Sequence, residues 1–324
     1  MGCNNGCTAS GHVFFLKSLF SSVLLIKVPL ILIRDKLMST GGQIKMEPLS
    51  KFSGVKILGV DLRNTIDGSL AEVLREALAY YSILYFPGQD IEAEHQADFA
   101  ALFGKVDRSL IRSGENPDQK QSSRGVMYVS NMKENGRNIG VLPDGEMHFH
   151  SDGSHRNSPY RATSLYAIKV PSKGGETLFA SMTAAYEALD DGTKVRLEGM
   201  TAKHIFNYNK TKREDIPEKA EASAEHPLIL VHPQTKRKSL YLSRLMTVKI
   251  NGMAISASNE LLLSLFDHCE KPEFIYTHEW TPRDLVIWDN RSVNHARRDF
   301  PSEEDRLLRR YTVSEPDTDD HGSY

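Results

Sequence analysis

Cysteine is nearly missing from this chain: three residues in 324, at Cys3, Cys7 and Cys269. Two crowd the N-terminus and one stands far off. That excludes a disulfide framework and a cysteine zinc site, and it fits a reducing compartment, the cytoplasm. An excess of charge is missing as well. Forty Lys and Arg against forty-two Asp and Glu leave −2, so no broad field draws nucleic acid or an anionic membrane. Any cation that matters must act locally. The basic runs Lys210–Arg213 and Lys236–Lys238 lack the interleaved aromatics of a nucleic-acid surface and read as solvated loops. What remains, 40% hydrophobic and 25% charged, is ordinary globular composition.

Long apolar runs are confined to residues 13–33, VFFLKSLFSSVLLIKVPLILI. The stretch is long enough to cross a bilayer. However, Lys17 and Lys27 lie inside it, Pro29 interrupts it, no small-residue cleavage site follows, and Gly6 stands where a myristoylation signal needs Ser or Thr. Translation starting at Met38 or Met46 accounts for the segment better than an anchor does, and the protein meets a membrane only if this segment is one. Residues 1–45 are therefore set apart as an apolar extension, 46–314 as one globular domain, and 315–324 as a disordered acidic tail.

Within the domain, residues 54–61 read as a strand. Ser69 and Glu72 form a capping-box pattern ahead of Leu70, Val73, Leu74, Ala77, Leu78 and Tyr81 at helical spacing. A strand at 83–86 stops at Pro87-Gly88, and a helix is expected near 91–103. Further helices are expected near 183–199 and 258–269, and strands near 227–232, 239–243, 273–280 and 284–288. Many short strands with a few helices describe a mainly β sandwich or jelly roll with helices packed outside. The polar stretch 207–225 reads as a mobile loop that can act as a lid.

Two segments carry chemistry. The first is HFHSDGSH, 148–155. Residues two apart share a strand face, so His150 and Asp152 can offer a nitrogen and an oxygen to one metal ion. By the same alternation His148 competes with His150. The second runs from Leu285 to Val313: an apolar strand to Trp288, then His295, Arg306 eleven residues later and Arg310 four after that. Two histidines and one carboxylate on one face of iron(II) leave three coordination positions open. A 2-oxo acid can fill two and O2 one. Arginine suits the distal carboxylate of such a cosubstrate, because its planar fork matches a carboxylate bidentately.

HSD at 150–152, GGETLFASM at 174–182, HPLILVHP at 226–233 and WDNRSVNH at 288–295, with the two following arginines, resemble the TauD/TfdA family. That family comprises Fe(II)- and 2-oxoglutarate-dependent dioxygenases for taurine and aryloxyacetates. The resemblance covers roughly residues 50–313. It implies a double-stranded β-helix core of cupin-like, jelly-roll type and iron ligands His150, Asp152 and His295. It further implies that Thr177 and Arg306 hold the distal carboxylate of 2-oxoglutarate, and that Arg310 anchors the acidic group of the substrate. Phe206 and Met246 fall at the family's hydrophobic pocket wall. The retained Asp152 favours hydroxylation over halogenation, with succinate and CO2 as coproducts and C–S or C–O cleavage where the hydroxylated carbon bears a heteroatom. The expected partner is a small anionic molecule: a sulfonate, aryloxyalkanoate, alkyl sulfate or phosphonate. A homo-oligomer is also implied. VDRSLIRSG at 106–114 and Glu146 lack the residues that define a taurine pocket, so taurine itself fits poorly.

Plainer readings stand beside these. A lone His-x-Asp pair is commonly structural, and a β-sandwich zinc hydrolase or a non-catalytic binding module is the alternative to an oxygenase. His148 reads as a pocket residue and His155 as solvent-facing or near the site mouth. His204, His226 and His232 read as structural. Trp288 is assigned to the core and Trp280 to a sheet edge. Asn131 is assigned to hydrogen bonding behind the site. Arg297, Arg298 and Arg309 read as surface charge paired with Asp299, Glu303 and Glu304.

Overall fold

The computed structural model describes residues 44–107, 126–140, 145–206, 211–212 and 222–315. The apolar segment 13–33, most of the expected lid and the tail beyond Glu315 lie outside these residues. Among the described residues, no helix is long and apolar enough to cross a membrane.

Two sheets face each other. The larger has eight strands. Its main path runs Lys45–Pro48, Val55–Leu58, Ile83–Phe86, Leu285–Asp289, Ala162–Lys169, Leu307–Ser314 and Lys105–Val106, with Met127–Ser130 also pairing on Leu307–Ser314. The smaller runs Ile275–His278, Thr177–Ser181, Val293–Arg297 and Met147–His150. Neighbours within the small sheet are antiparallel. The result is the expected mainly β, jelly-roll architecture.

Alternation along the strands assigns the faces. Every residue of Leu285–Asp289 is buried, because both faces of this central strand are covered. Leu285 and Ile287 pack with Leu74, Phe86 and Phe99 under the helices. Val286 and Trp288 pack with Phe179, Val293 and Leu308 between the sheets. The outer helices are Gly68–Tyr81 and Ala93–Ala101. The first is capped by Asp67, whose side chain accepts from the Leu70 N–H at 2.8 Å. The Ser69 hydroxyl donates to that same carboxylate, so the cap lies two residues ahead of the capping-box position. On the other side, Ile255–Cys269 lays Leu262, Leu265 and Phe266 against Ala180, Ala296 and Phe149 of the small sheet.

The single helix expected near 183–199 is two, Met182–Glu187 and Asp191–Leu197. Asp190 interrupts them by accepting from the Thr193 N–H and starting the second helix. Residues 222–225, the end of the stretch expected to be loop, belong to the strand Ala222–Pro227. It pairs with Thr201–Phe206, which pairs in turn with Thr247–Ile250 in a third sheet beside the jelly roll.

Candidate active site

The small sheet brings the two chemical segments together: His150 stands directly opposite His295 in the register. Beyond His150 the chain leaves the strand, and Asp152 turns back beneath it. His150 Nε2 lies 3.9 Å from Asp152 Oδ1, and His295 Nε2 lies 3.7 Å from Asp152 Oδ2. One ligand atom from each of His150, Asp152 and His295 lies within 4.8 Å of the others.

The protonation states suit a metal. Burial pushes His150 and His295 down, His295 well below its usual range, so both rings are neutral. His150 Nδ1 lies 3.0 Å from the His148 carbonyl, which can only accept. Nδ1 therefore carries the proton and Nε2 offers its lone pair. Burial opposes the charge on Asp152, but the Arg310 guanidinium and the Thr163 hydroxyl outweigh it and hold the carboxylate ionised. Two neutral imidazoles and one carboxylate at these separations are the donor set of a divalent ion with open positions.

His148 does not join the triad. Between His150 opposite His295 and Met147 opposite Arg297 the pairing slips by one residue, and a bulge of this kind breaks simple alternation. His148 instead lines a cleft of about 250 Å³ outside the jelly roll, with Glu146, Arg244, Glu270 and Arg298. Glu146 faces the same cleft and pairs with Lys212 at 3.2 Å.

The two spaced arginines come from the strand Leu307–Ser314 and the turn before it. Arg310 places Nη2 2.7 Å from Asp152 Oδ1. Arg306 is the unusual group: it is 2% exposed, and its Nη2 donates to the Gly175 carbonyl at 3.2 Å. Its Nε and Nη1 have no partner among the described residues. Burial, with Arg297 nearby, pulls it from 12.5 to about 9. Asn131 fixes this corner by accepting from the Arg306 N–H at 2.9 Å and donating to the Glu304 carbonyl at 2.8 Å. Gly174 and Gly175 turn there with φ +75° and +71°. A Cβ on Gly174 would sit 2.3 Å from the Asp299 carbonyl oxygen, which leaves no room for a side chain. Thr177, 3% exposed, follows that turn. Its hydroxyl oxygen accepts from Trp280 Nε1 at 3.0 Å, which leaves its hydrogen free to donate. A buried, unsatisfied guanidinium beside an inward hydroxyl is chemistry that fits a carboxylate.

Phe206 and Met246 reach the same region. Phe206 stacks on His155 at 4.6 Å between ring centroids, and Met246 Sδ accepts from the Ser154 hydroxyl two residues after Asp152. His155 is thus buried, not solvent-facing, and burial pushes it down to about 4. His232 holds Asp289. Its Nδ1 accepts from two backbone N–H groups, so Nε2 donates to the carboxylate at 3.0 Å. The flanking arginines divide. Arg298 is exposed. Arg297 and Arg309 are 6% and 5% exposed and are not surface charges. Arg297 donates to the Gly145 carbonyl, and Arg309 donates to Gln96 Oε1 and the Ile91 carbonyl. Each lies on a strand face that is covered, and sequence proximity to acids hid this. Thr163 and Asn290, which stand directly behind Asp152, carried no sequence signal.

A jelly roll with two neutral histidines, a carboxylate and a buried cation awaiting an anion defines a non-haem oxygenase class of site. Comparison with known proteins identifies the family. The profile of the taurine catabolism dioxygenase TauD, TfdA family matches residues 45–312. Pentalenolactone F synthase of Streptomyces avermitilis is 34% identical over 280 residues, covering 79% of this chain and 89% of that protein. The (S)-phenoxypropionate/alpha-ketoglutarate-dioxygenase of Sphingobium herbicidovorans is 32% identical over 273 residues, covering 81% of this chain and 91% of that one. The crystal structure of AAD-2 with Mn(II) and N-oxalylglycine superposes with TM-score 0.69 at 33% identity, covering 84% of this chain and 98% of that one. The chain belongs to the TauD/TfdA family and is a 2-oxoglutarate-dependent dioxygenase. The zinc hydrolase and binding-module alternatives are set aside.

Proposed function

We propose that His150, Asp152 and His295 hold Fe(II), that Arg306 and Thr177 hold the distal carboxylate of 2-oxoglutarate, and that Arg310 receives the anionic group of the substrate. The reaction inserts one oxygen atom of O2 into a substrate C–H bond and the other into succinate, with release of CO2. The loaded metal supplies the oxygen activation; the protein orients the reactants. The observation that carries the reading is Arg306, a cation 2% exposed whose Nε and Nη1 have no partner among the described residues, four residues before the Arg310 that meets the ionised Asp152. No fold gains by burying such a group without a ligand to meet it.

The substrate class follows from what surrounds Arg310. The guanidinium is 13% exposed on its side chain, so it is reachable from outside. Phe206, His155 and Met246 form an aromatic and thioether wall beside Asp152. An anion with an aromatic or aliphatic body fits this wall better than a small zwitterion such as taurine does. The phenoxypropionate dioxygenase among the relatives supports the same class.

The test is anaerobic reconstitution with Fe(II) and 2-oxoglutarate, followed by the weak visible charge-transfer band of the iron–2-oxo-acid chelate. A band in the native protein that is lost in His150→Ala, followed by succinate release with aryloxyalkanoates or sulfonates, is the expected result. Folded, iron-loaded protein without the band would remove the assignment.

A further inference from the structure

Asp152 is held from behind by a chain of three hydrogen bonds. Trp288 Nε1 donates to Asn290 Oδ1 at 2.9 Å, Asn290 Nδ2 donates to Thr163 Oγ1 at 3.0 Å, and Thr163 Oγ1 donates to Asp152 Oδ2 at 2.7 Å. The ends fix the direction of every link. An indole N–H can only donate and an ionised carboxylate can only accept. The amide must therefore present its oxygen to Trp288 and its nitrogen to Thr163, and the threonine hydrogen must point at Asp152. The four side chains are at most 5% exposed, so water does not compete.

The fold builds this chain on purpose-made points. Trp288 lies opposite Thr163 in the strand register. Asn290 follows the strand end, where its N–H donates to the Arg161 carbonyl and its own carbonyl accepts from the Ser151 hydroxyl at 2.8 Å. The residue before Asp152 is thus tied to the same asparagine that orients Thr163. The other carboxylate oxygen, Oδ1, lies 2.7 Å from Arg310 Nη2.

We infer that Thr163 and Asn290, with Trp288 behind them, are positioning residues that hold the Asp152 carboxylate in one orientation beside His150 and His295. This deepens the metal reading above and rests on it. With the hydroxyl on Oδ2 and Arg310 on Oδ1, the carboxylate is held in one orientation beside His150 and His295, where the three side chains would hold the metal. Without the hydroxyl the carboxylate can rotate about its Cβ–Cγ bond, and part of the binding energy goes into freezing it. Outer-shell partners of this kind change metal affinity by about 10–100-fold.

The test is Mn(II) titration of the full chain, with free Mn(II) read by electron paramagnetic resonance and melting temperature recorded on each metal-free variant. Thr163→Val should bind Mn(II) about 10–100-fold more weakly, and Thr163→Ser, which keeps the hydroxyl, should bind as native. Asn290→Asp keeps its shape but accepts the Thr163 hydrogen and turns it from Asp152. It should show the same loss, and it decides the matter if Thr163→Val does not fold. Native affinity in folded Thr163→Val and Asn290→Asp would overturn the inference, as would a Thr163→Ser variant as weak as the valine. His150→Ala separates the two levels. If it too binds as native, the metal reading has failed; if it alone loses Mn(II), only the positioning role has.

Discussion

Arg306→Met should make the protein more stable without cosubstrate and far less responsive to cosubstrate. The guanidinium is 2% exposed and pulled from 12.5 to about 9. A displacement of that size corresponds to about 5 kcal/mol. The sign follows from linkage. A cation whose folded value is depressed destabilises the fold at every pH below the folded value, and the penalty fades only between about 9 and 12.5. At neutral pH it is fully present. Methionine removes it and fills similar space. Against this, the Gly175 carbonyl loses its donor, which costs about 1–3 kcal/mol. The net is a gain of at least about 2 kcal/mol, or a melting temperature higher by at least about 4 °C for a domain of this size.

The assay is thermal unfolding with Mn(II) present throughout, with and without 2-oxoglutarate. At a hundredfold excess over its dissociation constant the cosubstrate should stabilise the native protein by about 2.7 kcal/mol, and the variant, which keeps only the 2-oxo-acid end of the binding, by much less. The lead of the variant should therefore shrink or reverse on adding cosubstrate. A variant that melts below the native protein without cosubstrate, or one that gains as much from it, would refute the claim that Arg306 is a buried charge kept for a carboxylate.

Arg310→Gln should raise the KM for an anionic substrate by about 10–100-fold, the worth of one charge-assisted hydrogen bond. It should leave the iron–2-oxoglutarate band intact, and loss of the band would place Arg310 on the cosubstrate instead. His204 gives a pH signature. Burial, with His226 and His155 beside it, pushes His204 down to about 3, so between pH 6.5 and about 3 the unfolded chain binds a proton that the fold refuses. Stability should fall with pH through that window, by about 2 kcal/mol between pH 8 and pH 5 from this residue alone. His204→Gln should flatten the slope in urea titrations, and an unchanged slope would show that His204 is not the source.

Much of this was legible in the sequence because it is local. The helix Gly68–Tyr81 is visible in the spacing of Leu70, Val73, Leu74, Ala77 and Leu78, all buried. The triad and the two arginines are visible because His150 and Asp152, and Arg306 and Arg310, lie two and four residues apart on single segments. What was hidden is what the fold assembles from distant strands. Thr163 is an unremarkable strand threonine until Asn290, 127 residues away, donates to it. Arg309 sits next to Arg310 and looks like its equal, but alternation turns it to the outer face, where Gln96 of the helix Ala93–Ala101 accepts from it. The bulge that takes His148 off the face of His150 is announced by no spacing rule.

The charges of the site, taken in pairs, also choose among substrates. In the proposed arrangement a divalent metal would be balanced by Asp152 and the 2-oxo-acid carboxylate, and Arg306 by the distal carboxylate. Among the described residues placed at the site, Arg310 is then the positive charge left for the substrate. Arg310 lies 2.7 Å from Asp152 Oδ1, so a second negative charge on the substrate comes to rest close to that carboxylate. At 4 Å and an effective dielectric near 20, such a pair costs about 4 kcal/mol, or roughly 10³-fold in affinity. Sulfate and phosphate monoesters of one alcohol differ in just this respect. The sulfate stays a monoanion, while the phosphate takes up its second charge near pH 6. The ratio of kcat/KM for sulfate over phosphate should therefore be large at pH 8 and shrink steadily as pH falls through 6, while effects of pH on the protein cancel in the ratio. A ratio near one that does not move with pH would mean that a further cation serves the substrate anion, and that Arg310 does not act alone.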